Sequence, residues 1–350
     1  MFRSLFVLTL ALLLVAGLAC DDDDDDNDTP ADDDDNDDAS PVGTWPDDPK
    51  PLNGWLATHP RESSEWSALY RIEIDDVTTY AIPDSGVFEF GDALGPVAWA
   101  TDMTTLYQFS IGEWREFSMQ PPCATGEGTR ILKNFLFSED SGVVHCFSSE
   151  TLVKWNGSSW SDWREDVAAL IDCMPSGECV ALLNNEHYVV ISSADEEELT
   201  FDRALYDLQM QTAQVIYGFA SSLNGGSEEF VLVRCENTVC EEDSRGIRVL
   251  TTGENPVLAR IDNDHMAVSG FQLDTLDLGV FVLAGANELI ETNWPYFRWM
   301  TFAPGGSGLG ISPVENDAGL YLISGLQAAR LIEFSNEEHI TGFLVAADAY

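Results

Sequence analysis

Seven cysteines are the residues of this chain best suited to covalent or metal chemistry. Setting Cys20 aside, six remain, and they fall into near neighbours: Cys123 and Cys146, Cys173 and Cys179, Cys235 and Cys240. Cysteines of even number in close pairs are typical of disulfide bonds in an exported protein. Zinc is the alternative, but no pair has the two-residue ligand spacing and no histidine cluster accompanies them. The spacing predicts three disulfide bonds and no metal site.

No other group of residues has the spacing of a catalytic or cofactor site. The glycines of residues 305–310 are misplaced for a nucleophile elbow or a phosphate loop, so we interpret this segment as a turn. Residues 262–265, Asp-Asn-Asp-His, are interpreted as an acidic turn entering a strand, with a metal site as the alternative. The histidines are scattered along the chain at His59, His145, His187, His265 and His339. We assign no catalytic residue and no cofactor.

The start of the chain has the pattern of an export signal. Arg3 supplies a positive charge, residues 5–15 form a nearly unbroken apolar run, and small residues precede Cys20. A secretory leader is built in this order. The apolar run is also shorter than the roughly 20 residues that span a bilayer. We therefore expect residues 1–19 to be a signal peptide that is removed.

Cys20 follows this leader directly, where it resembles the lipobox cysteine of bacterial lipoproteins. Gly17 stands three positions before the cysteine, where leucine is usual in that family. The resemblance implies a diacylglycerol and an acyl chain such as palmitate on Cys20, which would anchor the chain to the lipid bilayer. The implied localisation is extracytoplasmic, at the outer membrane or cell surface in preference to the inner membrane. The alternative is an ordinary signal peptide followed by an incidental cysteine.

An aspartate-rich linker comes next, with 13 aspartates in the 18 residues from Asp21 to Asp38. Such a tract repels itself and has no apolar surface to bury, so residues 20–50 are predicted to be a disordered acidic spacer. Its oxygens suit calcium. However, Asp37 stands where an EF-hand loop requires glycine, and no glutamate follows in register. Loose association of cations is the most that this pattern supports.

The net charge limits the possible partners. The chain has a formal charge of -45, and from Ala39 onward 48 acidic residues stand against 15 basic ones, a net of -33. So acidic a surface argues against nucleic acid and anionic headgroups as partners. It favours cationic ligands and solubility.

Residues 51–350 contain a repeat of paired strands. Runs of β-branched and aromatic residues start nine residues apart at 97 and 106, 143 and 152, 179 and 188, and 280 and 289. These pairs predict hairpins. Two further pairs, at 230 and 247 and at 320 and 331, fit with longer connections. The first strands start at 97, 143, 179, 230, 280 and 320, which is the blade period of a β-propeller.

Further strand-like runs complete the pattern, for example at 131–136, 215–219 and 300–302. At the N-terminal end, 55–57 and 69–72 form a hairpin without a preceding strand, whereas 340–345 form a strand without a hairpin. Together these leftovers would complete one blade and protect the terminal strands from aggregation. The sequence therefore predicts an all-β fold, a β-propeller of seven blades. Six or eight blades, or a pair of β-sandwiches, are the alternatives.

Two copies of the repeat, residues 106–114 and 152–160, combine a strand, a glycine turn and a tryptophan. They resemble the blade repeat of kelch-type and related bacterial extracytoplasmic propellers. Because these propellers share no single activity, the resemblance implies a fold and not a function. We interpret the abundant tryptophans as packing between blades, with stacking on sugars or cations as the alternative.

These observations favour a membrane-anchored binding or assembly module of the bacterial cell envelope, with an envelope protein or a glycan as ligand. One alternative is a hydrolase or lyase acting on polysaccharide or peptide at the mouth of the central channel. Another is a structural envelope protein. A cluster of carboxylates in the channel would favour the hydrolase, and a conspicuous exposed aromatic patch would favour partner binding.

Overall fold

A computed structural model describes 53–60, 68–73, 76–80, 89–90, 92–93, 99–110, 113–124, 130–138, 140–184, 187–221, 229–250, 258–272, 278–303, 306–312, 318–333 and 338–346. The predicted signal peptide, Cys20 and the acidic linker lie outside these residues. In the described part of the chain, none of the helical segments could cross a bilayer.

Thirty strands and two short 3-10 helices, Pro122–Ala124 and Phe147–Ser149, make up the described secondary structure. The first fifteen strands are β1 (Asn53–Pro60), β2 (Ala68–Glu73), β3 (Asp76–Tyr80), β4 (Glu89–Phe90), β5 (Asp92–Ala93), β6 (Trp99–Thr101), β7 (Leu106–Ser110), β8 (Glu113–Glu116), β9 (Ile131–Ser138), β10 (Ser141–Cys146), β11 (Thr151–Trp155), β12 (Trp160–Arg164), β13 (Val167–Cys173), β14 (Cys179–Leu183) and β15 (His187–Ile191).

The other fifteen strands are β16 (Glu196–Glu198), β17 (Leu205–Met210), β18 (Val215–Ser221), β19 (Glu229–Glu236), β20 (Val239–Glu242), β21 (Ile247–Leu250), β22 (Leu258–Arg260), β23 (His265–Gln272), β24 (Leu278–Ala284), β25 (Glu288–Glu291), β26 (Trp299–Phe302), β27 (Gly308–Ser312), β28 (Gly319–Ser324), β29 (Gln327–Glu333) and β30 (Glu338–Ala346). Strands that lie inside a blade are apolar and buried almost throughout, as in β10 and β14. Neighbouring blades cover both of their faces, so strict alternation is lost.

Antiparallel pairing groups these strands into seven four-stranded units, which we call meanders. In order they are β30-β1-β2-β3, β4-β6-β7-β8, β9 to β12, β13 to β16, β17 to β20, β22 to β25, and β26 to β29. Two strands lie outside this scheme. β5 pairs in parallel with β9, and β21 pairs with both β19 and β23, which joins meanders 5 and 6 into one sheet.

The meanders form a closed ring. Neighbouring meanders contact each other through their first strands, from β13 to β17, β22, β26, β30 and β4 in turn. Because the blades of a propeller converge on a central axis, these first strands lie on the inner side of the ring. β30 pairs with β1 from Asn53 opposite Ala346 to Pro60 opposite Glu338. The protein is therefore an all-β propeller closed by its terminal strands, as predicted. The count of seven blades stays a prediction, which the seven meanders support.

The core lies between neighbouring meanders. Trp99 packs with Val144 and Val153 between meanders 2 and 3, and Met210 packs with Val180 between meanders 4 and 5. Trp99 is fully buried and Trp294 nearly so, in agreement with tryptophans that pack between blades. Burial of such large side chains supplies most of the stabilisation of this all-β fold.

The predicted hairpins are found in meanders 2, 3, 4, 6 and 7. β10 pairs with β11 from Gly142 opposite Trp155 to Cys146 opposite Thr151, and β14 pairs with β15 from Cys179 opposite Ile191. β6 and β7, β24 and β25, and β28 and β29 pair as predicted. The local spacing of apolar runs was therefore sufficient to identify these elements.

The predicted hairpin between residues 230 and 247 needs a correction. The segment between the two cysteines is not a long loop: β20 turns back at Asn237-Thr238 and pairs directly with β19. Asn237 and Thr238 both have positive φ, which a two-residue hairpin turn requires. β21 pairs with the other half of β19, so the expected pairing exists but is not the neighbouring hairpin.

The glycine segment at 305–310 is only partly a turn. Gly306 donates a backbone hydrogen bond to Ala303, but the next residues form the buried strand β27. A Cβ at Gly310 would lie 2.8 Å from the Phe297 ring, and one at Gly308 would meet the Phe302 ring. These glycines are thus required by close packing against aromatic rings, not by a loop. β27 also separates the predicted strand 300–302 from the hairpin that it was expected to adjoin.

His145 gives the fold a testable dependence on pH. It lies 1% exposed on β10, and its Nε2 is 2.8 Å from the carbonyl oxygen of Val167 in the next meander. Burial lowers the pKa of His145 below its ordinary value of 6.5, although the Val167 carbonyl and Glu150 act in the opposite sense. The unfolded chain therefore binds a proton at this residue that the folded chain does not, and stability should fall as the pH drops through about 6.5.

We expect His145→Gln to lower stability at pH 7.5 by about 1–3 kcal/mol, because it disturbs a buried hydrogen bond. It should also reduce the loss of stability between pH 7.5 and 5, since the group that must be protonated on unfolding is gone. Urea unfolding of both proteins at several pH values measures this. His187→Gln, at an exposed position, serves as the control. An unchanged pH dependence in His145→Gln would exclude His145 as the titrating group.

Candidate functional site

A cluster of polar groups lies where three inner strands end, and we call it the channel-end cluster. It consists of Asp172 on β13, Gln209 and Met210 on β17, Arg260 on β22, and Met174 just after β13. Cys173, Met210 and Arg260 are the last residues of their strands. Inner strands of successive blades run in the same direction around the axis, so their ends meet at one end of the channel.

Asp172 holds two inner strands together. Its side chain is buried, and it accepts hydrogen bonds from Cys173 N (2.8 Å), Gln209 Nε2 (2.9 Å) and Met210 N (2.7 Å). A buried carboxylate with three N–H donors is satisfied as an anion and has a structural role. It therefore lends no support to the general acid that the hydrolase alternative requires.

Arg260 and Lys133 are the cations on the described inner strands. The half-buried guanidinium of Arg260 contacts the thioether sulfur of Met174, and its Nη1 lies 3.4 Å from the carbonyl oxygen of Met210. Lys133 on β9 donates through Nζ to the carbonyl of Ile171 on β13. These contacts join meanders 3 to 6 along the inner side of the ring.

A groove of about 300 Å³ lies between meanders 4 and 5, and we call it the interblade groove. Its lining is Leu182, His187, Tyr188, Glu198, Leu199, Phe201, Arg203, Ala204, Leu205 and Tyr206. This lining combines aromatic rings with one cation, one carboxylate and one imidazole. Binding pockets typically have such a composition, with apolar walls and a few fixed polar groups.

The walls of the interblade groove are held by specific contacts. Tyr188 donates its hydroxyl to the carbonyl of Leu205 (3.1 Å), and burial raises the pKa of that hydroxyl, aided by Asp207 and Tyr206. Tyr188 therefore stays neutral at physiological pH. Arg203 Nη2 lies 2.7 Å from Glu242 Oε1, and its guanidinium stands 4.8 Å from the Phe201 ring.

Tyr206 makes one rim of the groove conspicuously aromatic. Its side chain is 43% exposed, and its ring packs edge-on against Phe230 at 5.2 Å between centroids. Phe230 is half-buried in the next strand but one, so the two rings form a fixed pair. A large exposed aromatic ring held by a partner is a feature of binding surfaces.

A second, acidic pocket of about 440 Å³ lies beside the β19–β20 turn. Its lining is Arg234, Glu236, Asn237, Val239, Glu241, Glu242, Asp243, Ser244, Ala286 and Asn287. The Cys235–Cys240 disulfide closes the hairpin that carries much of this lining.

The predicted cysteine pairs are confirmed. Cys123 bonds to Cys146, Cys173 to Cys179, and Cys235 to Cys240. Each close pair joins residues that are directly opposite or nearly opposite across a hairpin, as at Cys235 and Cys240. Among the residues that the structure describes, no three potential ligands group as a metal site. Cys20 lies outside those residues, so its lipidation stays a prediction.

The remaining candidates from the sequence are the acidic segment 262–265 and the five histidines. The carboxylate of Asp262 accepts hydrogen bonds from Asp264 N, His265 N and His265 Nδ1, which makes residues 262–265 the predicted turn before β23. His145 is in the core, and His187 lines the interblade groove. The backbones of His59 and His339 are paired across β1 and β30. Among His145, His187 and His265, whose side chains the structure describes, no two lie together as a catalytic group.

Sequence reasoning missed both the interblade groove and the channel-end cluster. The groove lining comes from one stretch of chain, 182–206, but nothing in the residue types tells which turn of a propeller stays open. Arg260 and Met174 are far apart in sequence, and only the order of the blades brings them together. The residues that meet at these sites are therefore determined by the order of the blades in the ring, which local sequence patterns do not show.

At low sequence identity, the chain is similar to several solved structures. The chain is similar to "YCF48 bound to D1 peptide" (11% identity, 83% of this chain and 95% of that chain, TM-score 0.49). It is also similar to the β-propeller domain of Myceliophteria_thermophila Cps50 (Swd1) (7%, 78% and 97%, 0.45) and to U3-55K (11%, 84% and 94%, 0.47). No family model matches the chain, and no curated protein matches it. The fold assignment rests on the strand pairing.

Proposed function

We propose that the protein is a lipid-anchored, extracytoplasmic binding module whose propeller holds another protein of the bacterial envelope. In this proposal residues 1–19 are the signal peptide, Cys20 carries the lipids, residues 20–50 form the spacer, and residues 51–350 form the propeller. The protein sits at the outer membrane or cell surface. The spacer holds the propeller away from the bilayer, so that its grooves are accessible.

The observation that carries the proposal is the interblade groove with its exposed Tyr206 rim. A rigid aromatic ring beside a pocket offers a large contact area at a low cost in conformational entropy. The exposed Tyr206 also favours a binding module over a purely structural envelope protein.

Charge indicates which partner segment fits the groove. Glu198 lines the groove, and the exposed Glu196, Glu197 and Asp202 adjoin its lining in sequence, whereas Arg203 is already paired with Glu242. A partner segment with an apolar side chain for the groove and a basic residue beside it would therefore complement this surface. A glycan stacked on Tyr206 is the second ligand class, and the same experiment separates the two.

The test is photo-crosslinking from position 206 in the native envelope. A photo-reactive phenylalanine analogue in place of Tyr206 should give one discrete protein adduct, whereas the same probe at Leu326, which is similarly exposed in the β28–β29 turn of meander 7, should not. Glu198→Lys in the 206-probe chain should reduce the adduct about tenfold or more by reversing the charge that meets the basic residue. Cys20→Ala should shift the protein from the membrane to the soluble fraction.

Each arm can contradict the proposal. Adducts of equal yield at 206 and 326, or an adduct that is indifferent to Glu198→Lys, would refute the interblade groove as the protein site. A smear that glycosidases remove would assign the groove to a glycan. Membrane retention of Cys20→Ala would refute the lipid anchor without affecting the result for the groove.

A further inference from the structure

Among the described residues, Arg260 has no carboxylate partner. Its described contacts are the sulfur of Met174, a weak acceptor, and the carbonyl oxygen of Met210 at 3.4 Å. A guanidinium has five N–H donors in a planar fork that fits a carboxylate. Because Arg260 is half-buried, water compensates its charge only in part.

A shortage of acidic residues does not explain why Arg260 has no described carboxylate partner. The chain has 61 acidic residues against 16 basic ones, and seven other described arginines pair with a carboxylate. These are Arg115, Arg164, Arg203, Arg234, Arg245, Arg248 and Arg330. Arg260 thus differs from these seven arginines, and the half-buried Arg298, whose described contact is the Trp299 ring, shares the lack of a described carboxylate partner.

Asp172 is in the same cluster, and its described hydrogen bonds go to groups other than Arg260. Its two oxygens are taken up by Cys173 N, Gln209 Nε2 and Met210 N, which hold the carboxylate toward β17. The Asp172 carboxylate is thus held toward Gln209 and Met210, and most N–H donors of the Arg260 guanidinium are still available to a ligand.

A second unused donor lies close by. Gln211 follows Met210 directly and is 4% exposed, and its Nε2 is buried with no hydrogen-bond partner in the described structure. A buried amide without an acceptor costs on the order of 1–3 kcal/mol, so it is retained only if something compensates it. Arg260 contacts the carbonyl of Met210 and Gln211 follows Met210 in the chain, so two under-used donors adjoin the same residue, and we look for their acceptor outside the chain.

We propose that the channel-end cluster binds a single carboxylate of a ligand, with Arg260 as its bidentate donor. In this proposal the ligand reaches the cluster from the channel mouth, and no residue of the cluster lines the interblade groove. Lys133, which also has no carboxylate partner among the described residues, adds positive charge on the inner side of the ring.

The strong negative charge of the protein limits which ligands with a carboxylate can approach the cluster. From Ala39 onward the formal charge is -33, so a ligand with several negative charges is repelled on approach. A carboxylate carried by a neutral or positively charged body escapes this repulsion. The C-terminus of a peptide with a basic residue has this chemistry, and we assign the site to it.

The experiment compares two short peptides on the full mature chain in detergent. Acetyl-Lys-Ala-Ala with a free C-terminus should bind with a Kd about ten- to a hundredfold lower than the same peptide amidated, as judged by isothermal titration calorimetry. The amidated peptide carries the greater positive charge and general attraction to the acidic surface favours it. A preference for the free acid therefore reports a local site.

Variants locate the site. Arg260→Met, which keeps an apolar contact with Met174, should abolish the preference for the free acid, and Arg260→Lys should retain part of it because the charge remains without the fork. Arg115→Met, at an exposed pair on β8, and Tyr206→Ala in the interblade groove should both leave it unchanged. Melting curves show which variants are folded, and Arg260→Lys carries the test if Arg260→Met is not.

Three results would overturn the proposal. They are equal affinity for the free and amidated peptides, a preference that is undiminished in Arg260→Lys and in folded Arg260→Met, and no binding of either peptide. Tighter binding of glucuronate than of the free peptide, lost in Arg260→Met, would reassign the site to a sugar acid. The unchanged Tyr206→Ala variant keeps these outcomes independent of the interblade groove.

Discussion

A chain that lacks residues 338–350 should lose cooperative unfolding altogether. This deletion removes β30, which pairs with β1 along the whole of that strand and contacts β26 and β4 on either side. Without it, β1 becomes an open edge, and its buried Trp55 and Leu56 lose one of their covering strands. Unpaired edges of this kind aggregate, because their N–H and C=O groups accept any other strand.

Urea unfolding followed by tryptophan fluorescence measures this effect. We expect a broad, non-sigmoidal transition, or aggregation, in place of a single cooperative step. Deleting only residues 347–350 spares β30 and should leave the transition intact. A synthetic peptide of residues 338–346 added to the deleted chain should restore part of the cooperativity. A sharp transition with an unchanged slope in the larger deletion would refute closure of the ring through β30.

Local patterns predicted most of the blades for a physical reason. A hairpin is defined by two apolar runs and the turn between them, so the pairs starting at 143 and 152 and at 179 and 188 are visible in the sequence. The disulfides are visible too, because each close pair spans a single hairpin turn. Even the closing strand at 340–345 could be predicted, since a strand without a hairpin needs a partner.

What the sequence concealed depends on contacts between distant segments. The role of Gly310 becomes clear only when Phe297 is seen against it, and β21 is unusual only because it pairs with two meanders. Nothing in the sequence around Arg260 distinguishes it from other basic residues. Its contact with Met174 becomes visible only in the folded ring. Site formation in a propeller is thus a property of blade order, which strand-by-strand reading cannot supply.

Arg245→Met should destabilise the propeller by about 3–5 kcal/mol, the expected cost of breaking a buried ion pair. Arg245 Nη2 lies 2.6 Å from Asp243 Oδ2 and its Nε 2.8 Å from Oδ1, and both side chains are at most 3% exposed. The same guanidinium donates to Tyr217 Oη (3.0 Å) and to the carbonyl of Glu288 (3.2 Å). It therefore ties meander 5 to the outer turn of meander 6, where β21 already joins them.

The large loss of stability expected for Arg245→Met comes from the buried Asp243 carboxylate that remains, not from the lost attraction between the two charges. Hydrogen bonds to Asp243 raise the pKa of Arg245 against the opposing effect of burial, so the arginine is charged at any accessible pH. Removing it leaves the Asp243 carboxylate buried without a counter-ion.

The double variant Arg245→Met/Asp243→Leu removes both charges and should recover a large part of the lost stability. Arg115→Met, whose exposed pair with Glu113 is open to water, should change the free energy of unfolding by less than about 1 kcal/mol. Urea titration of the four proteins decides the matter: a double variant as unstable as Arg245→Met would show that lost packing, not the stranded charge, sets the cost.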